Sequence, residues 1–159
     1  AHRIATDPGR LDEAWFAAIP AQPGPFVELV CVVAIAVGVD SMFAAVGQVP
    51  AALPTGEPGT PSKYHPEGVE TGICWVPTVD PKRVSSTDAD IYPSRMVSNV
   101  GRAVTLVPDA WRMLNGLASP AYLSFKRVGN PHYDPGRSIS RAQMEAIAMR
   151  VSVANECFY

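Results

Sequence analysis

Residues 26–47 read FVELVCVVAIAVGVDSMFAAVG and are apolar on nearly every side. The valines in this stretch also suit a buried strand, but strands rarely exceed ten residues and no turn residue interrupts the first twelve positions. The stretch therefore predicts a long helix, and a helix that is apolar all round is expected to be buried on most sides. Its most apolar part, Phe26 to Val39, has only fourteen residues and contains Glu28. A membrane span needs about 20 apolar residues, so we expect the buried helix of a soluble protein and no membrane span.

The composition fits one globular domain over residues 1–159, since 47% of the residues are hydrophobic and 18% are charged. The net charge is -2 and no basic cluster is long enough to neutralise a run of phosphates, which argues against nucleic acid as a partner. The low share of charged residues and the sixteen prolines indicate that part of the surface is apolar. We expect a second copy of the chain to cover that surface, and so predict a homo-oligomer.

The three cysteines, Cys31, Cys74 and Cys157, are odd in number and far apart, so a disulfide framework is not expected and a reducing cytoplasm is the expected location. His65 and His132 lie in proline-rich loops and are expected to be surface imidazoles. No metal-ligand spacing is present, and we expect no metal and no cofactor.

Residues 50–92 form a proline-rich arm between two helical regions. Five prolines fall between positions 50 and 66, a density that excludes regular structure there, and the chain continues without clear periodicity towards residue 92. A connection of this length is expected to pack across its own domain or a neighbouring subunit. Tyr64, Ile73 and Trp75 are the predicted anchors.

Four further helices are predicted from start signals and apolar spacing. The clearest begins at Ser140, where Ser140 and Gln143 form a capping box and Met144, Ile147, Ala148 and Val151 form an apolar stripe. The other three are Leu11 to Ile19, Pro93 to Val107, and a helix that starts at Pro108, in which Pro120 should kink or restart the chain.

Two of these helices align as copies of one unit. The long helix and the C-terminal helix match with Glu28 opposite Glu145, which predicts two helical repeats. In this interpretation residues 1–49 are a degenerate first repeat, residues 50–92 are the arm, and residues 93–159 are a second repeat that is incomplete at its C-terminus. The predicted fold class is therefore all-α, a helical bundle of two repeats joined by the arm.

The last residues of the chain carry a more specific pattern. Glu145 is followed after eleven residues by Cys157 within Asn155-Glu156-Cys157-Phe158-Tyr159. This resembles the alkylhydroperoxidase D-like, or carboxymuconolactone decarboxylase, family, whose core reads E-x11-C-x-x-C-x3-H. The match is good over about residues 95–159 and looser over the N-terminal helix. The resemblance implies an all-helical peroxidase that forms trimers or hexamers and uses a peroxide and a thiol reductant.

Within that resemblance, Glu145 and Cys157 are the catalytic candidates. Glu145 would be the acid/base of a proton relay, and Cys157 would be the thiol that resolves the sulfenic acid as a disulfide. The family's peroxide-attacking cysteine falls one position beyond Tyr159, so the enzyme assignment depends on the chain continuing past that residue. On one straight helix Glu145 and Cys157 would point about 120° apart, so their convergence requires a break near Asn155. Asn155 suits such a break because asparagine tolerates the left-handed conformation.

Other interpretations of these residues remain open at this point. Glu145 alone would be an ordinary solvated helix residue, and Cys157 alone a small buried hydrophobe. Glu28 is expected to make a structural ion pair with Arg102 or Arg150. A cofactor-free lactone decarboxylase would use a pocket acid/base without a cysteine pair, and a non-catalytic helical oligomer or binding subunit would retain only a decayed redox site.

Overall fold

A computed structural model describes residues 1–20, 22–51, 59, 63–93 and 98–157. The described part is mostly helical, as predicted. The α-helices are α1 (His2–Thr6), α2 (Glu13–Ala17), α3 (Pro23–Ala45), α4 (Asn99–Arg102), α5 (Pro108–Ala121) and α6 (Arg141–Ala154). Two short strands, β1 (Val69–Glu70) and β2 (Thr78–Val79), pair antiparallel, and 3-10 helices cover Pro8–Arg10 and Ser86–Ile91.

The long helix α3 exists, but it is not buried on most sides. Its fully buried side chains are Val27 and Cys31, near its start. Large apolar side chains further along are substantially exposed: Leu29, Val32, Val37, Met42 and Phe43. The prediction of burial was wrong because, within the described chain, α1 and α5 cover only part of the surface of α3 and leave large apolar side chains exposed.

The length of α3 also differs from the prediction. Proline at its first turn lets the helix begin at Pro23, before the apolar run, and the helix continues to Ala45. With 23 residues it is long and apolar enough to cross a membrane by length and composition, and 17% of its most apolar 18-residue window is buried. The helix is therefore longer than the apolar run from which we expected no membrane span, and the absence of a span stays a prediction.

The core lies where α3, α5 and the arm meet. It contains two residues of α3, four of the segments between α3 and α5, and two of α5. They are Val27, Cys31, Val76, Val79, Ile91, Val104, Ala110 and Trp111. The packing of α3 against α5 forms one side of this core, and the 3-10 helix Ser86–Ile91 packs against α5.

The arm contains regular structure that the sequence did not predict. Residues 52–58 and 60–62 lie outside the described part, so the expectation for the proline-dense stretch is tested only at its edges. Beyond it, Val69 pairs with Val79 and Glu70 with Thr78 in a two-stranded ribbon. These elements are too short to give periodicity, which explains why the sequence showed none.

The most buried residues of the arm are not the predicted anchors, although the Tyr64 hydroxyl donates to Asp88 and Trp75 stacks on Phe16. Tyr64, Ile73 and Trp75 are each about half exposed, whereas Val79 and Ile91 are fully buried. Aromatic size suggested anchoring, but the branched aliphatic side chains fill the interior beside α3 and α5.

The other predicted helices are recovered in part. Leu11 to Ile19 contains α2, and Pro108 is the first residue of α5 as predicted. The helix expected over Pro93 to Val107 is reduced to the four residues of α4, while residues 94–97 lie outside the described part. Pro120 neither kinks nor restarts a long helix, because α5 ends at the next residue.

Candidate functional site

Glu145 lies on the second turn of α6, and the predicted capping box fixes where that helix begins. The Ser140 hydroxyl accepts a hydrogen bond from the Gln143 amide, and the Gln143 side chain accepts one from the Ser140 amide. Met144 is the buried residue of α6, with 4% of its surface exposed. The predicted stripe is only partly buried, since Ile147 and Val151 are each 55% exposed.

A tyrosine and an arginine hold the Glu145 carboxylate. Tyr122, the residue that follows α5, donates a hydrogen bond of 2.7 Å from its hydroxyl to Oε2. Arg141, one turn earlier on α6, places Nη2 2.6 Å from Oε1. The same Nη2 donates to the Val128 carbonyl oxygen at 3.0 Å. Its contact with Oε1 is an ion pair whose geometry does not make a hydrogen bond. The carboxylate is thus fixed in place while 45% of the side chain remains exposed.

Burial, and then the hydrogen bond to Glu145, raises the pKa of Tyr122 to about 12. The phenol therefore keeps its proton throughout the neutral range and remains a donor to the carboxylate. Tyr122 was not singled out as a site residue in the sequence. Its distance of 23 positions from Glu145 left no spacing that could have revealed the contact.

Cys157 follows α6, at the opposite end from Ser140. The helix ends at Ala154, and the Asn155 side-chain amide donates a 2.8 Å hydrogen bond to the Val151 carbonyl oxygen. The break occurs where it was predicted, but the left-handed residue is Glu156, with φ of 51°, and not Asn155. The Cys157 backbone amide donates to the Ser152 carbonyl oxygen at 2.9 Å, and its side chain is exposed.

The structure does not bring Glu145 and Cys157 together. The Cys157 amide donates a hydrogen bond to the Ser152 carbonyl oxygen, and Ser152 lies seven positions after Glu145, which is about 10 Å along the helix axis. The break therefore satisfies the geometric condition without producing convergence within this chain. The catalytic assignment of the two residues remains a prediction.

Glu28 does not make the predicted ion pair. Arg102 instead pairs with Glu70 of the ribbon, and both Glu28 and Arg150 are exposed. Glu28 lies one turn from Cys31, whose thiol has its pKa raised to about 11 by burial and, to a smaller extent, by the Glu28 charge. A buried thiol with so high a pKa stays protonated, which fits the expected packing role of Cys31.

A polar cluster around Arg112 was missed by the sequence analysis. The guanidinium contacts Asp88, Asp90 and Asp109 at 2.7–3.0 Å. The Asp88 side chain is only 2% exposed, and it also accepts a 2.5 Å hydrogen bond from the Tyr64 hydroxyl. This cluster fastens the 3-10 helix to α5. The signal available in the sequence was the Asp88-Ala89-Asp90 pair, but nothing in the sequence linked it to Arg112.

An open cleft of about 690 Å³ lies between the start of α3, the segment before β2, and the turn after α4. Its lining is mostly apolar and includes Phe26, Val30, Cys74, Trp75 and Val104. Because its walls come from four separate stretches of chain, Glu13 of α2 among them, no local pattern could have indicated it.

Among the described residues, no group of three or more His, Cys, Asp or Glu side chains is placed to hold a metal ion. His65 and His132 are exposed, as predicted. Comparison with known proteins gives no matching family model, no matching curated protein and no matching solved structure.

Proposed function

We propose that this chain takes part in the thiol-dependent reduction of peroxides, as an alkylhydroperoxidase D-like helical bundle of two repeats. The observation that carries the proposal is the fixed Glu145 carboxylate on a helix whose end presents Cys157 as an exposed thiol. A proton-relay group needs a defined position, and a resolving thiol needs access. The two ends of α6 meet these separate requirements.

The proposed chemistry uses two thiols and one dithiol reductant. A thiolate attacks the peroxide, breaks the O–O bond and becomes a sulfenic acid, while the alkoxide or hydroxide that leaves takes up a proton. The Cys157 thiolate then attacks the sulfenic sulfur and forms a disulfide, and the hydroxide that leaves takes up a proton and becomes water. An external dithiol returns both cysteines to thiols and is itself oxidised to a disulfide. The peroxide-attacking thiol corresponds to the family position one residue beyond Tyr159.

In this proposal the Glu145 carboxylate accepts and donates the proton, and Tyr122 holds that carboxylate in position. The Tyr122 hydroxyl and Arg141 hold the carboxylate, which exchanges a proton with the reacting thiol through an intervening group. An intervening group is required because the helix rise keeps Glu145 out of direct contact with Cys157.

The first test is the intact mass of the purified natural protein, followed by thiol counting before and after addition of one equivalent of tert-butyl hydroperoxide. A mass well above 17.0 kDa with two thiols lost per peroxide is the expected result. A mass equal to that of the 159 residues, together with an unreactive Cys157, would contradict the proposal.

Matched cysteine variants sharpen this test. Cys157→Ser should abolish disulfide formation after peroxide, whereas Cys74→Ser should leave it unchanged, because Cys74 lies in the apolar cleft. Equal losses of thiol in the two variants would show that Cys157 has no special part in the reaction.

A second candidate function is supported by the exposed apolar side chains of α3 and α6. Val32, Val37, Ile147, Met149 and Val153 are between 43% and 67% exposed, which is unusual for so many large apolar side chains on two helices. We propose on this ground a non-catalytic homo-oligomer, trimer or hexamer, in which these faces pair. Sedimentation equilibrium tests it, and a monomer at micromolar concentration with no peroxide turnover would support neither function.

A further inference from the structure

The cleft of about 690 Å³ has the size and lining of a small-molecule site. Sites for drug-sized ligands occupy roughly 300–1,000 Å³ and are mainly apolar with a few polar groups. In this cleft α3 contributes Phe26, Val27 and Val30, and the later segments contribute Trp75 and Val104. The thiol chemistry proposed above uses none of these residues.

Two aromatic rings line the cleft, Phe26 and Trp75, and both contact a third ring, Phe16. Phe16 of α2 contacts Phe26 edge-to-face, with ring centroids 5.1 Å apart. It also lies nearly parallel to Trp75, with centroids 6.2 Å apart and 25° between the planes. Phe26 and Trp75 are therefore fixed relative to each other, and half of the Trp75 surface is exposed.

Glu13 is the charged residue of this lining, and no basic residue accompanies it there. It is one turn before Phe16 on α2, so its carboxylate is on the same side of that helix as the aromatic rings. Among the described residues, no lysine or arginine forms an ion pair with it. A carboxylate beside accessible aromatic faces attracts an organic cation through charge and through the ring quadrupoles.

We propose that this cleft binds a small amphiphilic amine or quaternary ammonium compound. The ammonium group lies between Glu13 and the Trp75 ring, and the apolar chain packs against Val27, Val30 and Val104. Charge complementarity selects this ligand class, because an anionic amphiphile would face Glu13 with no cation to compensate.

Titration calorimetry with octyltrimethylammonium, below the concentration at which it forms micelles, tests the proposal on the full chain. Saturable binding is expected, with octyl sulfate at least about tenfold weaker. Glu13→Gln should weaken octyltrimethylammonium about three- to tenfold and leave octyl sulfate no weaker than before. Glu67→Gln, an exposed acid outside the cleft, is the matched control and should change neither affinity.

Cys74 gives an independent readout because it lines the same cleft. Octyltrimethylammonium should slow the alkylation of Cys74 by N-ethylmaleimide severalfold, while the exposed Cys157 reacts at an unchanged rate. Peptide mapping by mass spectrometry distinguishes the two thiols. Equal affinity for octyl sulfate, no effect of Glu13→Gln, or unprotected Cys74 would each overturn the proposal.

Discussion

The arm and helix α6 differ in how their sequence patterns relate to burial. The segment with the clearer pattern, α6, is the less buried of the two. Helix α6 has the clearest start signal in the chain, yet Met144 is its one fully buried residue within the described part. The described arm residues carry no periodic pattern, yet they place Val79, Ile91 and Asp88 in the interior. A capping box determines where a helix begins, whereas burial depends on what other segments pack around it.

The arm holds its position through contacts between distant residues. The Val79 amide donates a 3.0 Å hydrogen bond to the Thr105 hydroxyl, and the Tyr92 hydroxyl donates to the Val79 carbonyl oxygen. These bonds satisfy backbone groups that an irregular segment would otherwise leave unpaired in the interior. The difference between the two regions should therefore appear as a difference in sensitivity to substitution.

The largest expected effect is that of Gly68→Ala in the turn before β1. Gly68 has φ of 73°, and an added Cβ would lie 2.6 Å from the Arg83 carbonyl oxygen. We expect a loss of about 4 kcal/mol in the free energy of unfolding, measured by chemical denaturation. Gly136→Ala is the matched control near α6, because φ is 67° there but nothing lies within 4 Å of the added Cβ. It should cost only about 1 kcal/mol, and equal losses would show that the close contact with Arg83 adds nothing to the cost at Gly68.

The next largest difference between the arm and α6 is expected when an isoleucine in each is replaced by alanine. Ile91→Ala removes a side chain that is 2% exposed and should cost about 3 kcal/mol of unfolding free energy. Ile147→Ala removes one that is 55% exposed on α6 and should change it by less than about 0.5 kcal/mol. A large loss at Ile147 in the same denaturation experiment would show that a second copy covers α6.

Replacing Arg112 beside the arm should cost more unfolding free energy than replacing Arg141 on α6. Arg112→Gln leaves the buried Asp88 without its cation and should cost about 2–3 kcal/mol. Arg141→Gln affects an ion pair to the half-exposed Glu145 and should cost about 1 kcal/mol or less. Similar losses from the two substitutions would contradict this distinction.

The Arg112 cluster also predicts a dependence on pH. Hydrogen bonds from Arg112 lower the pKa of Asp90 in the folded protein. A carboxyl with a lowered pKa stabilises the fold above its unfolded pKa, about 3.9, and this contribution is lost as the pH falls through the folded value. Unfolding measured from pH 5 downward should therefore show a smaller acid loss in Arg112→Gln than in the parent protein.

The smallest effect is expected at the capping box. Ser140→Ala removes the hydroxyl that accepts a hydrogen bond from the Gln143 amide. It should lower the stability of α6 by about 1 kcal/mol. Amide hydrogen exchange should become faster in α6 while the arm amides keep their protection. If the arm amides exchanged faster as well, α6 would be part of the same cooperative unit as the core.

Prediction from the sequence succeeded where neighbouring residues decide the outcome. Pro108 at the start of α5, the Ser140–Gln143 capping box and the helical break after Ala154 all follow from local rules. Of the candidate site, the sequence predicted only Glu145 and Cys157, as two residues of a motif, and not the contacts that either one makes. The contact between Tyr122 and Glu145, and the absence of one between Glu145 and Cys157, depend on the loop of residues 122–140 and on helix length.

The mostly helical character of this chain and the starts of several of its helices could be predicted from the sequence, because capping and proline geometry act over three or four residues. The exposure of α3, the contact between Asp88 and Arg112, and the cleft lined by Glu13 and Trp75 depend on how the folded chain packs. Those features join segments that are tens of residues apart, and burial is a property of what surrounds a side chain rather than of the side chain alone.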